Sequence, residues 1–256
     1  MFRQNFKTTL AIFALFVFAA ACQKKNAVNA DLNAEMPKKI VWAWERPEDL
    51  RFLDARQFGV AFLAQTLILQ NDDVVFRPRR QPLELPEDIY LIAVTRIETF
   101  PEKSKRPALS AAQREKITNL IKKTLDLPNV KAIQTDFDVR LSERQFYRAL
   151  ANDLKKELPA ETPFTITSLA SWCVGDHWFN DFPVDEAVPM AFEMGADSER
   201  IRDFLAKGND WNEPLCRGSY GISVDDPLVN VRLKPDRRRY YFKSKAWEKG
   251  DLERLQ

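Results

Sequence analysis

The sequence predicts an α/β fold in which about eight parallel strands close into an irregular (β/α)8, or TIM-like, barrel. Short apolar runs recur along the chain, and most of them are separated by a dozen or more residues. Several of these connecting segments have helical periodicity. Connections of that length join parallel strands through right-handed crossovers. About 220 residues follow the N-terminal segment, which suits a single barrel. Because several connections lack a clear helix, a doubly wound open sheet is the alternative.

The N-terminal segment, residues 1–21, has the features of a secretory signal peptide. Arg3 and Lys7 precede an apolar run that is shorter than the roughly 20 residues needed to span a bilayer. Small residues lead from this run into Cys22, an order that resembles the cleavage site of bacterial lipoproteins. The resemblance implies that Cys22 becomes the first residue and carries the lipid. A signal peptide with an incidental cysteine is the alternative.

The residues after the predicted cleavage site are expected to tether a globular domain to a membrane. Residues 22–37 are polar and without periodicity, as in a flexible tether, and the barrel domain is expected over residues 38–256. The residue directly after the cysteine is Gln23 in place of an Asp, as in lipoproteins that are sent to the outer membrane. The expected location is therefore the periplasmic face of the outer membrane.

The composition argues against several kinds of partner. The first 21 residues hold two of the 39 Lys and Arg and none of the 37 Asp and Glu, so the rest of the chain carries no net charge. Nucleic-acid binding requires a basic face and is not expected. His177 is the only histidine and no Gly-rich phosphate loop is present, so neither a bound cofactor nor a metal site is expected.

Apolar runs rich in β-branched and aromatic residues predict the strands. The first run, KIVWAW, ends at Glu45, and later runs end in polar residues in the same way. Residues 74–86 mix Pro, Arg and Leu and are expected to form an extended hairpin or loop. The predicted strands cover residues 39–44, 59–70, 89–97, 129–138, 164–172, 187–192, 220–224 and 239–243.

Cap residues and apolar stripes predict the helices. Ser110 is expected to cap one helix, and Ser142 with Gln145 has the spacing of a capping box for another. Acids directly after Pro47 suit the first turn of a short helix. The predicted helices cover residues 47–53, 110–125, 142–158 and 198–206.

Two cysteines remain after Cys22. An exported chain permits a disulfide between Cys173 and Cys216. However, Cys173 is predicted near the end of one strand and Cys216 near the start of another, so two free, buried cysteines are an equally open alternative.

The fourth predicted strand ends in a pair of acids. In Ile-Gln-Thr-Asp-Phe-Asp, residues 133–138, an apolar run turns into Asp136 and Asp138, which at period two point to the same side. Two carboxylates so placed repel each other and shift each other's pKa. In a parallel α/β fold this end of the sheet is where ligands bind. A solvated loop with incidental acids is the alternative.

Acids and tryptophans follow the other predicted strands as well. If the barrel closes, these side chains should meet at one mouth, where carboxylates can bind hydroxyls and handle protons while indoles cover sugar rings. A carbohydrate is therefore the expected ligand. The expected catalytic residues are Asp136, Asp138, Glu193 and Glu98, and the expected substrate-binding residues are Trp44, Glu45, Trp172, Asp176, Asp225 and Asp226.

Five segments resemble a bacterial family known as domain of unknown function 3142: VWAWERPEDLRFL, IQTDFD, FTITSLASWC, DEAVPMAFEMG and GISVDDP. They occur in order over most of the chain after Cys22. The resemblance implies a lipoprotein barrel and carries no activity with it.

A more distant similarity is to glycoside hydrolase family 18. The fourth strand of those barrels ends in D-x-x-D-x-D-x-E, of which Asp136 and Asp138 match the D-x-D portion. The segment from Met190 to Glu193 loosely matches that family's Met-aromatic-acid element on the sixth strand. Where the family has its proton-donating Glu, this chain has Arg140, which does not release its proton at workable pH.

Three functions stay open from the sequence. The first is a glycoside hydrolase-like enzyme whose acid is Glu193 or Glu98, with Asp136 or Asp138 as base or charge stabiliser. The second is a barrel without catalysis that binds cell-envelope glycan. The third is a scaffolding lipoprotein, or one in which Asp136, Asp138 and Asp225 hold a divalent cation.

Overall fold

The structure is a computed structural model that describes residues 35–255. The predicted signal peptide, Cys22 and nearly all of the predicted tether lie outside the described residues. The barrel unit begins at Pro37.

Eight parallel strands form a closed barrel, which confirms the predicted fold class. The first strand pairs with both the third and the last strand, and this double pairing closes the ring. The strands are β1 (Lys39–Ala43), β2 (Glu48–Asp49), β3 (Phe58–Gln70), β4 (Asp73–Pro78), β5 (Leu83–Glu84), β6 (Tyr90–Thr99), β7 (Val130–Asp136), β8 (Phe164–Leu169), β9 (Glu186–Met190), β10 (Ser219–Ser223) and β11 (Arg238–Phe242). All except β2, β4 and β5 belong to the barrel.

The three remaining strands decorate the β1 and β3 side. β4 pairs antiparallel with β3 after a turn at Asn71, as the predicted hairpin requires. The helix predicted over residues 47–53 is wrong, because β2 pairs there with β5. The Glu48 N–H donates to Pro82 O at 3.1 Å, and the Leu50 N–H donates to Glu84 O at 2.8 Å. These backbone groups are thus bonded to another segment and not to a helical turn.

Four α-helices lie within the described residues: α1 (Ala111–Lys122), α2 (Arg144–Glu157), α3 (Ala170–Val174) and α4 (Ser198–Ala206). Ser110 caps α1 through a capping box with Gln113, with both hydrogen bonds at 3.2 Å. The predicted capping box of Ser142 is wrong. A 3-10 turn, Leu141–Glu143, comes first, and the buried Glu143 carboxylate accepts the Arg140 N–H at 2.8 Å.

None of the helices between residues 35 and 255 combines the length and the hydropathy that crossing a membrane requires.

Side chains alternate between two buried layers, as the strand period of two dictates. Outward residues such as Val41, Phe62 and Ile133 pack in the apolar layer under the helices, where Tyr147 of α2 also shares a 2.7 Å hydrogen bond with Thr135. Inward residues fill the barrel and include polar pairs such as Gln134 and Thr165, at 3.0 Å. The barrel is therefore packed throughout its lower part.

A buried ion pair closes the amino end of the barrel. Glu186 and Arg238 are the first residues of β9 and β11, and each side chain is only 3% exposed. The Arg238 guanidinium donates to the Glu186 carboxylate and, through Nε, to Pro37 O at 3.0 Å. A charge buried this deeply depends on its partner.

We expect Glu186→Ala to lower the free energy of unfolding by about 3–5 kcal/mol, because it leaves the Arg238 charge buried without its carboxylate. Urea unfolding measures the change. The matched control is Glu157→Ala, which breaks the exposed pair with Lys122 and should cost no more than about 1 kcal/mol. Equal losses in the two variants would contradict the structural role given to Glu186.

Candidate functional site

A cavity of about 400 Å³ opens at the carboxyl end of the barrel strands. It lies above the packed interior, where parallel barrels place their ligands. Four of the predicted site residues line it: Asp136, Asp138, Glu193 and Trp44. The other lining residues are Trp42, Arg96, Leu169, Ala170, Ser171, Met190, Phe192, Met194, Gly195, Asp197, Ile201 and Phe242.

Asp136 is the deeply held member of the acid pair. It is 4% exposed, and both carboxylate oxygens accept hydrogen bonds. Thr167 of β8 donates to Oδ1 at 2.7 Å, and Arg96 of β6 donates to Oδ2 at 3.0 Å. Arg96 also donates to Glu98 at 3.1 Å. Side chains from both neighbouring strands therefore fix the position of Asp136.

Asp138 has a different environment. Its side chain lines the cavity and remains exposed, although protein atoms around the carboxylate displace part of its water. This burial raises the pKa of Asp138 from 3.8 to about 6, the negative charge of Asp136 adds to the rise, and Arg96 opposes it. Asp138 is thus able to hold a proton near pH 6, beside a carboxylate that two side chains hold in place.

Aromatic rings form one wall of the cavity. Trp42 stacks on Phe242 with centroids 4.7 Å apart, and Phe192 lies 4.7 Å from Phe242 on the other side. Trp44 extends this wall, 5.4 Å from Trp42, and the Arg96 guanidinium lies 5.9 Å over its ring. Such faces pack well against the apolar side of a sugar ring.

Two arginines hold the segment that carries Trp44. Arg79 donates to the carbonyls of Trp44 and Arg46, both at 2.6 Å. Arg46 in turn donates to the carbonyls of Ser244 and Lys245, both at 2.7 Å, which ties the end of β1 to the end of β11. Sequence reasoning missed both arginines, because their partners are backbone atoms of distant segments.

Glu193 faces the cavity from the segment after β9. Its backbone is left-handed, with φ at 47°, which is rare for a residue with a side chain. The Glu193 N–H donates to Asp226 Oδ2 at 3.1 Å, and Asp226 is paired with Arg202 at 2.6 Å. Asp226 was expected to bind substrate directly, but it lies outside the cavity and positions Glu193.

Three other predicted site residues also lie outside the cavity. Glu98 is turned towards Arg96, and Glu45 accepts the Arg80 N–H at 3.3 Å. Asp225 accepts the Ser244 N–H at 2.6 Å, and this hydrogen bond lowers the pKa of Asp225. Glu98 and Arg96 both belong to β6, whereas Glu45 and Asp225 each accept a hydrogen bond from a loop N–H, and none of these three carboxylates lines the cavity.

Trp172 and Asp176 were also expected at the mouth and are not there. The predicted strand ends early, and α3 turns Trp172 into the core, where it is 4% exposed and meets Trp178 edge to face at 5.0 Å. Asp176 forms an ion pair with Arg144 of α2. Asp176 thus connects the segment after α3 to α2, while Trp172 belongs to the core.

Cys173 and Cys216 form a disulfide, which decides between the two alternatives left open by the sequence. It joins α3 to the 3-10 turn before β10, across 43 residues of chain. The Asn212 N–H donates to Cys173 O at 2.8 Å beside it. Since Ala170 and Ser171 of α3 line the cavity, the disulfide braces one cavity wall.

Arg140, at the position of the family 18 acid, is directed away from the cavity wall. Its guanidinium lies 3.5 Å from the Glu143 carboxylate and 3.3 Å from the Thr99 hydroxyl. The position therefore supplies neither an acid nor a cavity contact.

Within residues 35–255, no group of three or more His, Cys, Asp or Glu side chains is arranged to hold a metal ion.

Comparisons with known proteins bear on the fold. No family model matches the sequence, and no curated protein matches it. The barrel resembles a spore cortex-lytic enzyme. This structure, SleL of Bacillus megaterium QM B1551, gives a TM-score of 0.51 at 15% sequence identity, covering 73% of this chain and 50% of that chain.

Two further solved structures are similar to smaller extents. SleL of Bacillus cereus gives a TM-score of 0.45 at 14% identity, covering 72% of this chain and 50% of its own. The chitinase domain of the spore coat protein CotE from Clostridium difficile gives a TM-score of 0.39 at 11% identity, covering 65% of this chain and 50% of its own. The chain thus spans about half the length of each.

The likeness to the first SleL structure shows a shared barrel fold. Membership of domain of unknown function 3142 stays a prediction.

The raised pKa of Asp138 predicts how stability depends on pH. Because the folded protein binds this proton more tightly than the unfolded chain does, its contribution to the free energy of unfolding should fall as pH rises from about 4 to about 6. Asp138→Asn removes this contribution. The free energy of unfolding of the variant, relative to that of the wild type, should therefore rise between about pH 4 and about pH 6 and stay constant at higher pH. Urea unfolding at a series of pH values measures the difference.

Carbon-13 NMR of the carboxyl groups checks the cause. Asp136→Asn should lower the pKa of Asp138, since the negative charge beside it is gone. A wild-type Asp138 that titrates near 4 would contradict the environment described for it.

Proposed function

We propose that this chain is an exported glycoside hydrolase-like enzyme in which Asp138 donates the proton. The observation that carries the proposal is the pair of unlike carboxylates in one cavity. Asp136 is held by Arg96 and Thr167, whereas the Asp138 carboxylate has no hydrogen-bond or ion-pair partner among residues 35–255 and its pKa is raised to about 6. Two carboxylates in unlike environments are the machinery of glycosidic bond cleavage.

The proposed reaction is hydrolysis. Protonated Asp138 gives its proton to the glycosidic oxygen as the bond from that oxygen to the anomeric carbon breaks. The charge that develops on the sugar is stabilised by the carboxylate of Asp136, whose position Arg96 and Thr167 fix. Water then adds its hydroxyl to the anomeric carbon and returns a proton to Asp138. The ring packs against Trp44 and Phe242 while this occurs.

The acid assignment differs from the two residues favoured by sequence. Glu98 is outside the cavity and accepts a hydrogen bond from Arg96. Glu193 faces the cavity, but it is the pKa of Asp138 that burial and the charge of Asp136 raise. A carboxyl group that keeps its proton near pH 6 is the better general acid at that pH.

The likeness to a cortex-lytic enzyme supports a role on cell-envelope material, and this chain covers half of that enzyme.

The alternative function is glycan binding without catalysis, in a binding or scaffolding envelope lipoprotein. The observation that favours it is Arg140, which stands at the position of the family 18 acid and pairs with Glu143 instead of facing the cavity.

A substrate screen with two variants tests the enzyme. Wild type should release reducing ends from peptidoglycan or chitin-type fragments, with activity falling above about pH 6. Asp138→Asn should lower kcat about 10²–10⁴-fold because the proton donor is lost. Asp136→Asn should lower kcat as well, since the developing charge loses its counterion. Exposed Glu199 of α4 lies outside the cavity, so Glu199→Gln is the control.

Binding measured on the same fragments separates the two functions. Turnover that survives Asp138→Asn would exclude this residue as the acid. Binding by a wild type that turns over no fragment would favour the non-catalytic alternative.

The proposed location is the periplasmic face of the outer membrane, with lipid on Cys22. Support comes from the order of residues 1–23 alone. Cys22→Ser should abolish incorporation of labelled palmitate in cells and move the protein from the outer-membrane fraction to a soluble or inner-membrane fraction. An unlabelled wild type would show that Cys22 is incidental.

A further inference from the structure

The charges in the cavity are unevenly compensated. Of its four carboxylates, Asp136 is paired with Arg96, and Asp197 is paired with Arg200 at 2.7 Å. Within the part of the chain that the structure describes, Asp138 and Glu193 have neither a hydrogen bond nor an ion pair to their carboxylates. Arg96, the sole cation of the described cavity wall, already serves Asp136 and Glu98. The cavity therefore has an excess of negative charge available to a ligand.

The aromatic wall of the cavity also favours a cation. Trp44, Phe192 and Phe242 line the cavity with aromatic rings, whose faces attract ammonium groups. The same faces accept the apolar side of a pyranose ring. An anionic sugar would meet repulsion from the Glu193 carboxylate.

We propose that the cavity recognises a glycan unit with a free, protonated amine, such as a de-N-acetylated hexosamine, and that the Glu193 carboxylate binds its ammonium group. The inference rests on the proposed function, because it names the substrate class of the same cavity. Asp226 contributes by holding the Glu193 backbone in place. Asp138 stays free to act on the glycosidic oxygen.

Binding of matched tetrasaccharides tests the proposal. Calorimetry compares tetramers of glucosamine with tetramers of N-acetylglucosamine, in β-1,4 and β-1,6 linkage, at about pH 5.5, where an amine carries its proton. We expect at least tenfold tighter binding of a glucosamine tetramer, with a preference that shrinks as salt rises.

Variants assign the preference to one residue. Glu193→Gln should remove it, Glu193→Asp should keep part of it because the charge is retained, and Glu199→Gln should leave it unchanged. Thermal unfolding of each variant confirms that it folds. A preference that survives Glu193→Gln in the folded protein overturns the role of this residue.

The failure of this inference and the failure of the proposed function have different signatures. Equal or tighter binding of the acetylated tetramers overturns the amine recognition and leaves a glycan-binding barrel. Absence of binding by all the tetramers, with activity on none of the polymers, overturns both.

Discussion

The pairing of β1 with both β3 and β11 is the constraint on which the site depends. It turns a parallel sheet into a ring without free edges, so that every barrel strand ends at the same mouth. Asp138, Glu193 and Phe242 follow or end three different strands and still line one cavity. The opposite end of the ring holds the buried pair of Glu186 and Arg238, whose charges satisfy each other. Stability and chemistry are thus served by opposite ends of the same strands.

The mouth itself is held by contacts that begin outside the barrel strands. Arg79 and Arg46 bind carbonyl groups on both sides of the seam between β1 and β11, and the Cys173–Cys216 disulfide braces the wall that α3 contributes. Backbone carbonyls and a covalent bond fix a loop more firmly than exposed ion pairs do. The cavity therefore has rigid walls although most of them are connections.

The sequence was most informative where the repeat of apolar residues alone determines the local structure. Apolar runs located the eight barrel strands, and the period of two placed Asp136 and Asp138 on the same side. It was least informative where a side chain's direction depends on the next few residues. β8 ends at Leu169 and not at residue 172, so the following turn of α3 rotates Trp172 into the core.

Contacts between residues far apart in the sequence could not be predicted either. Asp226 and Glu48 have ordinary surface character in the sequence, yet one holds the Glu193 backbone and the other is buried against Arg46 and the Trp247 N–H. Neither partner lies in a pattern that spacing alone reveals. The aromatic contact of Trp42 with Phe242 also depends on closure, since it crosses the seam of the barrel.

The replacement of an expected acid by Arg140 changes how the acid pair has to work. A glutamate there would leave Asp138 to orient it, whereas Arg140 is occupied with Glu143 and contributes no proton. In the proposed hydrolysis, the proton comes instead from a carboxyl group already in the cavity. Arg96 compensates Asp136 while it lowers the pKa of Asp138, and burial together with the Asp136 charge raises that pKa further than Arg96 lowers it. The balance leaves Asp138 able to hold a proton near pH 6, which is what the proposed general acid catalysis requires.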